Sequence, residues 1–421
     1  MSARLHAAHA FFQTLWVCRP GRSAADFKDW QERALQRWLR DDLPGVGFYK
    51  DAEPHLRSLP VIDKTTVMAC FEEFNRARIT AEAGWEAFAS GGEIDGISIG
   101  ASTGTSGNRT LYAVTPPERF RWLGSILAKT IPAFLVRPER VAVLLPQPSA
   151  LYDGANRMPG LQLSFHDLRQ DPGAWLGALQ AFNPTTIVAP PQVLRLLAET
   201  AGNLAPRRLY AGGETLDPVD RHIVEQRFGI PLGQIYMASE GLFAVTCRHG
   251  RLHLAEDANH FEFEPVGDGL VSPMVTSFRR SFQILARYRM NDLLRLSERP
   301  CPCGSPLQAV DEIVGRVDDG FFFTRPGATR VLVTPDVMRN AVLDAARDIT
   351  DFRICRKVDG TVSLTLHPTL QDASANAALK ALQDQFARLG VSPRLELLRD
   401  PMTYRTGPKL RRVENRFRHG E

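Results

Sequence analysis

A chain of 421 residues exceeds what one hydrophobic core normally organises, so two domains are expected. Hydrophobic content of 44% and charged content of 23% are ordinary for a soluble globular protein. The formal charge of +4 is small for this length. Lys409, Arg411, Arg412, Arg416 and Arg418 make the end of the chain basic. No interleaved aromatic platform or recognition module accompanies them, which argues against nucleic acid as a partner.

The apolar patch from Ala7 to Cys18, interrupted by His9 and Gln13, reads as a first packed helix. It is too short to span a bilayer and lacks a small-residue cleavage pattern. Phe27, Trp30, Ala34, Leu35 and Leu39 recur at helical spacing, which predicts a helix over Ala25–Leu39. Ile97–Gly100 reads as a strand running into a Gly/Ser/Thr loop. Val141–Leu145 and Thr186–Ala189 are compact apolar runs of buried-strand type, and Gln192–Thr200 and Pro218–Phe228 are helical patterns. This alternation predicts an α/β body. Beyond Asp311 the texture changes. Phe321–Phe323 and Val331–Val333 read as strands, Pro335–Arg347 as a helix, and Phe352–Arg356 with Val362–His367 as a hairpin. A helix over Ala373–Leu389 and a strand over Arg394–Arg399 complete a small α+β unit. The expected division is residues 1–314 and 315–421, joined near Gly315–Asp319. Six cysteines are too sparse for a disulfide scaffold, and a reducing cytoplasm fits them best.

In Ser102-Thr103-Gly104-Thr105-Ser106-Gly107 two glycines permit close backbone approach to an anion, and four hydroxyls with the exposed amides supply donors. The Gly-Lys-Ser/Thr ending of a Walker loop is missing. Taken alone, this stretch reads equally well as a flexible loop. Further segments follow it in order: Tyr210-Ala-Gly212-Gly213-Glu214, Tyr236-Met-Ala-Ser-Glu240, Tyr288-Arg-Met-Asn-Asp292, Gly315-Arg316-Val-Asp318-Asp319, and Thr406-Gly-Pro-Lys409-Leu-Arg-Arg-Val413.

This ordered set resembles the adenylate-forming superfamily of acyl-CoA synthetases, luciferases and peptide-synthetase adenylation domains. Within it the chain is similar to the phenylacetate-CoA ligase branch, and the resemblance covers nearly the whole sequence. It implies a large N-terminal α/β adenylating domain with a small mobile C-terminal α+β domain. The implied reaction is ATP-dependent activation of a carboxylate to an acyl-adenylate, followed by transfer to coenzyme A or to a carrier-protein phosphopantetheine.

By the same resemblance, Ser102–Gly107 would grip the β- and γ-phosphates, and Glu240 would hold Mg²⁺. Tyr236 offers a ring face to adenine, Gln234 an amide for its Hoogsteen edge, and Gly212 and Gly213 room for the purine, beside Glu214. Asp292 suits a ribose diol, with Arg316 adding a cation near the sugar and phosphate. Lys409 would reach both the attacking carboxylate and the α-phosphate. Asp318 matches the hinge about which the small domain turns. Pro408, Met290-Asn291 and Asn108-Arg109 depart from the usual pattern. Cys301-Pro-Cys303 resembles a zinc knuckle, with one intervening residue instead of two. Cys247 and His253 upstream could complete a Cys₃His structural zinc site, with His249 as the competing ligand. The other reading is four reduced side chains in a surface loop.

Tyr210, Ala211, Tyr236, Met237 and Ala238 are candidate walls of an acyl pocket for a small aromatic or otherwise apolar acid. Two other functions remain open from the residues. One is adenylation of a hydroxyl on a cofactor-like substrate without a thioester step. The other is a nucleotide-binding module without turnover.

Overall fold

The structure is a computed structural model that describes residues 3–102, 109–145, 159–200, 202–325, 330–401 and 411–417. Helix α1 (Ala3–Val17) is followed by α2 (Ala24–Asp41). The Ser23 hydroxyl caps α2 by accepting from the Asp26 N–H at 3.0 Å. Of the stripe that the helical spacing predicts, Phe27, Leu35 and Leu39 are buried and Trp30 and Ala34 half-buried, and Gln31 and Trp38 are buried with them. Two short helices, α3 (Lys64–Ala69) and α4 (Ala81–Ser90), lead into a three-stranded antiparallel sheet of β1 (Glu93–Ile94), β2 (Ile97–Ala101) and β3 (Leu111–Val114). Thr115 and Glu118 form a capping box that starts α5 (Pro116–Thr130). α5 packs along α1 with close backbone approach at Gly124. A Cβ on Gly124 would stand 2.1 Å from the Ala7 carbonyl oxygen, so only glycine lets the two backbones meet.

Strand and helix then alternate: β4 (Glu139–Leu145), β5 (Leu161–Asp167), α6 (Pro172–Phe182), β6 (Thr186–Ala189), α7 (Pro191–Thr200), β7 (Arg208–Gly212), α8 (Pro218–Phe228) and β8 (Leu232–Ala238). These five strands pair in parallel in the order β5-β4-β6-β7-β8. Both faces are covered, as parallel strands require. One face packs Ala142, Leu144, Ile187, Leu209 and Ala211 against Trp175, Leu179, Leu194 and Val224 of α6–α8. The other packs Val141, Val143 and Leu161 against α1 and α5.

At β8 the sheet changes character. β9 (Gly241–Thr246) returns antiparallel, and the sheet continues through β10 (Leu252–Leu254), β11 (His260–Gly267), β12 (Leu270–Thr276), β13 (Tyr288–Arg289), β14 (Asp292–Leu296) and β15 (Ala309–Arg316). Twelve strands thus share one sheet among the described residues. The chain forms two compact units. Among the described residues, the first comprises those up to 290 and 295–312, and the second comprises 291–294 and those from 313 onward.

Within the second unit, β16 (Phe321–Thr324) and β17 (Arg330–Val333) form a hairpin, followed by α9 (Pro335–Leu343). β18 (Phe352–Arg356), β19 (Val362–Leu366), α10 (Asp372–Arg388), β20 (Leu395–Arg399) and β21 (Val413–Asn415) follow. The sheet order β20-β19-β18-β21 is mixed, with β18 and β19 antiparallel and both edge pairings parallel. Its core gathers Phe321, Met338, Val342, Phe352, Leu364, Leu382 and Phe386. The helix expected over Pro335–Arg347 ends at Leu343. The chain turns there so that Ile349 enters the core, where it is buried. No described helix is long and apolar enough to cross a membrane.

Candidate active site and metal cluster

The Gly/Ser/Thr loop is the connection of the β2–β3 hairpin. Ser102 opens it: its N–H donates to the Thr110 carbonyl at 2.8 Å, and its hydroxyl accepts from the Thr110 N–H at 2.8 Å. The loop therefore leaves and returns through a doubly bonded neck. Thr103–Gly107 themselves lie outside the described residues.

Glu240 sits at the tip of the β8–β9 hairpin, where the Ser239 hydroxyl donates to its Oε2 at 3.0 Å. Tyr288 of β13 stands beside it. Burial pushes the Tyr288 hydroxyl above the usual phenol range, and the adjacent Glu240 carboxylate pushes the same way, while a hydrogen bond with Thr110 acts against both. The neck of the hydroxyl-rich loop, Tyr288 and Glu240 thus converge. Sequence reasoning singled out Glu240 and did not use Tyr288. Tyr288 entered only as the first residue of the Tyr288–Asp292 segment, and the contact with Glu240 comes from pairing distant in sequence.

Gly212 ends β7 and Gly213 follows with φ of +83°, a left-handed conformation that favours glycine. Glu214 accepts from the Gln192 side chain at 2.9 Å, which ties the turn to the start of α7. On β8, Gln234 donates its backbone N–H to the Thr246 hydroxyl at 2.8 Å, and its Oε1 accepts from Arg221 at 3.4 Å. The Tyr236 ring lies 5.5 Å from the Phe243 ring, tilted by 56°.

Between α5 and the parallel strands lies a cavity of about 820 Å³, counting its open mouth. Its walls are apolar and include Leu123, Ile126, Val188, Tyr210, Gly212 and Met237. The Tyr210 hydroxyl donates to the Thr130 carbonyl at 3.0 Å, which fixes the ring as a wall. Of the five wall residues expected from the sequence, Tyr210 and Met237 line this cavity. Ala211, Tyr236 and Ala238 do not line it. Successive strand residues alternate faces, so Ala211 packs among α6–α8 instead, and Tyr236 points away from its neighbour Met237.

In the second unit, Asp292 begins β14 and Arg316 ends β15. Asn291 donates its carboxamide to the Asp318 Oδ2 at 2.5 Å, and its carbonyl accepts from the Val317 N–H at 2.9 Å. The residue that departs from the usual motif is thus the partner of the expected hinge aspartate. Asp319 is held by Arg411 at 3.3 Å. Burial nevertheless pushes its carboxyl up to about 6, with Arg411 and Arg316 opposing. Lys409 lies outside the described residues.

The cysteine and histidine ligand atoms assemble in the first unit. Those of Cys247, His253, Cys301 and Cys303 all lie within 4.8 Å of one another. The Cys247 and Cys301 sulfurs are 3.7 Å apart, and Cys303 Sγ is 3.4 Å from His253 Nε2. Tetrahedral bonds of about 2.3 Å from zinc to sulfur require sulfurs about 3.8 Å apart, so the donor set fits that ion. His253 Nδ1 faces the Leu307 carbonyl at 3.0 Å, which fixes the proton there and turns Nε2 toward the sulfurs. The N–H groups of His249 and Ser305 donate to the sulfurs of Cys247 and Cys303, each at 3.4 Å. His253 is buried among the ligands, whereas the exposed His249 contributes only its backbone.

The architecture, a mixed α/β body with a large sheet and a smaller C-terminal α+β unit, is similar in fold to solved ligases. A 2-hydroxyisobutyryl-CoA ligase, solved in its postadenylation state with 2-HIB-AMP, matches at a TM-score of 0.70 and 18% identity over 94% of this chain and 91% of that one. Its open conformation with 2-HIB-AMP and CoA matches at 0.61 over 94% and 93%, and its thioesterification state at 0.56 over 94% and 91%. At such identity the likeness is one of fold. No family model matches the sequence, and no curated protein matches it.

Proposed function

We propose that the protein activates a carboxylic acid with ATP to an acyl-adenylate and passes the acyl group to coenzyme A, as a member of the phenylacetate-CoA ligase-like branch. The observation that carries this reading is the convergence of the Ser102–Thr110 neck, Tyr288 and Glu240 within a fold shared with a ligase captured beside its acyl-adenylate and CoA.

The hydroxyl-rich loop binds the triphosphate, and the Glu240 carboxylate, a hard oxygen donor, holds Mg²⁺. When bound, the ion neutralises phosphate charge. Ser239 and Tyr288 fix the carboxylate, so its oxygens are oriented before nucleotide arrives. Tyr236 and Gln234 take adenine beside Gly212 and Gly213, while Asp292 and Arg316 take the ribose. Lys409 aligns the attacking carboxylate with the α-phosphate. The apolar cavity at Tyr210 and Met237 supports a small aromatic or aliphatic acid as substrate. Asp318 is the hinge for the second half-reaction, and a carrier-protein thiol is the other acceptor that this chemistry admits. Cys247, His253, Cys301 and Cys303 hold a structural Zn²⁺ that takes no part in the chemistry.

The deciding assay measures pyrophosphate release over a panel of carboxylates, with products read by mass spectrometry in the presence and absence of coenzyme A. Acid-dependent release and a thioester are expected. Tight ATP binding without any acid-dependent release would sink the reading.

A further inference from the structure

A second cavity lies beside the candidate active site, with Glu240 and Gly241 among its lining residues. It measures about 780 Å³ counting its open mouth. Helix α5 borders both cavities with different faces. Leu123, Ile126 and Leu127 line the apolar one, whereas Arg121, Trp122 and Ser125 line the second, together with a stripe of α1.

Charge separates the two further. Four cations line the second cavity: Arg121, Lys129, Arg279 and Arg280. Asp257 neutralises Lys129 at 2.7 Å, and Glu118 neutralises Arg280 at 3.4 Å. Among the described residues neither Arg121 nor Arg279 has a carboxylate within ion-pair distance. Their hydrogen bonds go to backbone carbonyls, from Arg121 Nε to Pro117 at 3.4 Å and from Arg279 Nε to Asp257 at 3.2 Å. Among the described residues the terminal nitrogens of both guanidiniums make no hydrogen bond, while the Arg279 guanidinium lies 5.4 Å from the Trp30 ring centroid. Burial draws Arg279 below the usual arginine range, with Asp257 opposing and the nearby Arg121 and Arg37 reinforcing the fall. Bringing like charges together in a partly desolvated space is unfavourable unless an anion joins them. A second donor is also left over, because the buried Trp122 Nε1 has no hydrogen-bond partner among the described residues. Val17, Val114, Leu242 and Ala255 supply apolar wall, while Gln13, Thr14, Glu240, Asn259 and Ser277 supply polar wall.

We propose that this cavity is a binding site for a small organic anion, its carboxylate or phosphate head taken by Arg121 and Arg279 and its apolar body lying against Trp122, Val114 and Leu242. Neither arginine has a part in the ligase reading, although Glu240, the magnesium ligand of that reading, lines the same cavity; binding without ATP and the two arginine variants test the anion site apart from turnover.

Isothermal titration calorimetry on the whole protein without ATP tests the site, with benzoate and phenyl phosphate as probes and benzyl alcohol as the neutral analogue. The cavity should bind at least one anion, whichever head is tighter identifying the preferred group, and benzyl alcohol should bind about tenfold more weakly or worse. Arg279→Met and Arg121→Met should each weaken the anion by about tenfold or more, and Arg279→Lys should restore part of that loss. Recovery in the lysine variant separates a lost charge from a lost fold. Binding unchanged in both methionine variants would place the anion elsewhere, for instance in the apolar cavity, and would overturn the proposal. So would equal binding of benzyl alcohol, or no binding of either anion by the unaltered protein.

Discussion

Replacing Lys129 with methionine tests how the helical layer is held on the sheet. Lys129 Nζ lies 2.7 Å from Asp257 Oδ1, and the Thr14 hydroxyl donates to Oδ2 at 3.1 Å, so α5, α1 and the segment after β10 meet at one carboxylate. The Lys129 and Asp257 side chains are only 11% and 4% exposed. Burial alone would raise the Asp257 pKa, but the Lys129 charge and hydrogen bond hold it below the usual carboxylate range. At an effective dielectric constant of about 20, a charge pair at this separation attracts by roughly 6 kcal/mol, an upper bound. Removing one partner of such buried pairs typically costs about 3–5 kcal/mol. Lys129→Met should therefore lose about 3–5 kcal/mol at pH 7, measured by urea denaturation followed by circular dichroism.

The pH dependence carries a second, sharper expectation. In the unaltered protein the Asp257 pKa is below its unfolded value, so its contribution is present above that value and lost as pH falls. In Lys129→Met the unpaired carboxyl is raised instead, and protonation relieves its burial. The gap between the two proteins should shrink markedly from pH 7 to pH 4.5. Adding Asp257→Asn to Lys129→Met should recover most of the loss. A loss below about 1 kcal/mol, or one equal at both pH values, would refute the reasoning.

Lys409→Ala should abolish adenylation in a pyrophosphate-release assay yet spare thioester formation from supplied acyl-adenylate; equal loss of both steps would remove the lysine from the first half-reaction. Cys301→Ser should lower zinc in protein purified without chelator from about one equivalent and reduce Tm, whereas unchanged metal content would disqualify the cluster as a zinc site. Asp319 has a folded pKa of about 6, above its unfolded value, so its stabilising contribution is complete below about pH 4 and is lost as pH rises through 6. Asp319→Asn should then match the parent at pH 4 and exceed it at pH 8, by at most about 3 kcal/mol in denaturant titrations. A less stable variant at pH 8 would show that the Arg411 contact outweighs the burial.

Two of the five parallel strands, at Val141–Leu145 and Thr186–Ala189, were legible because they are short continuous apolar runs, and the helices at Pro191 and Pro218 because of their apolar periodicity. Residues 241–316 were not, since strands such as His260–Gly267 mix buried and half-exposed positions and draw their pairing from contacts far away in sequence. The cysteine cluster was legible in composition, but only the fold chooses His253 over His249. Periodicity marked the first helix, yet nothing in it tells that Gln13 and Thr14 face a charged cavity. That fact arises from the pairing of two helices 111 positions apart, as Thr14 and Ser125 are. The candidate wall residues divide between the two faces of the sheet for a simpler reason. Adjacent strand positions mostly face opposite ways, so Tyr210 lines the cavity while Ala211 packs on the other face of the sheet.

The bare Cα of Gly124, against which the Ala7 carbonyl rests, acts as a spacer set to zero. It fixes how far α1 stands from α5, and α1 is one bank of the charged cavity while α5 is common to both cavities. A single methyl at this position would push the first helix outward and widen the charged cavity without altering any residue that lines it. Selectivity in such a cavity can thus drift through a residue that no ligand ever touches.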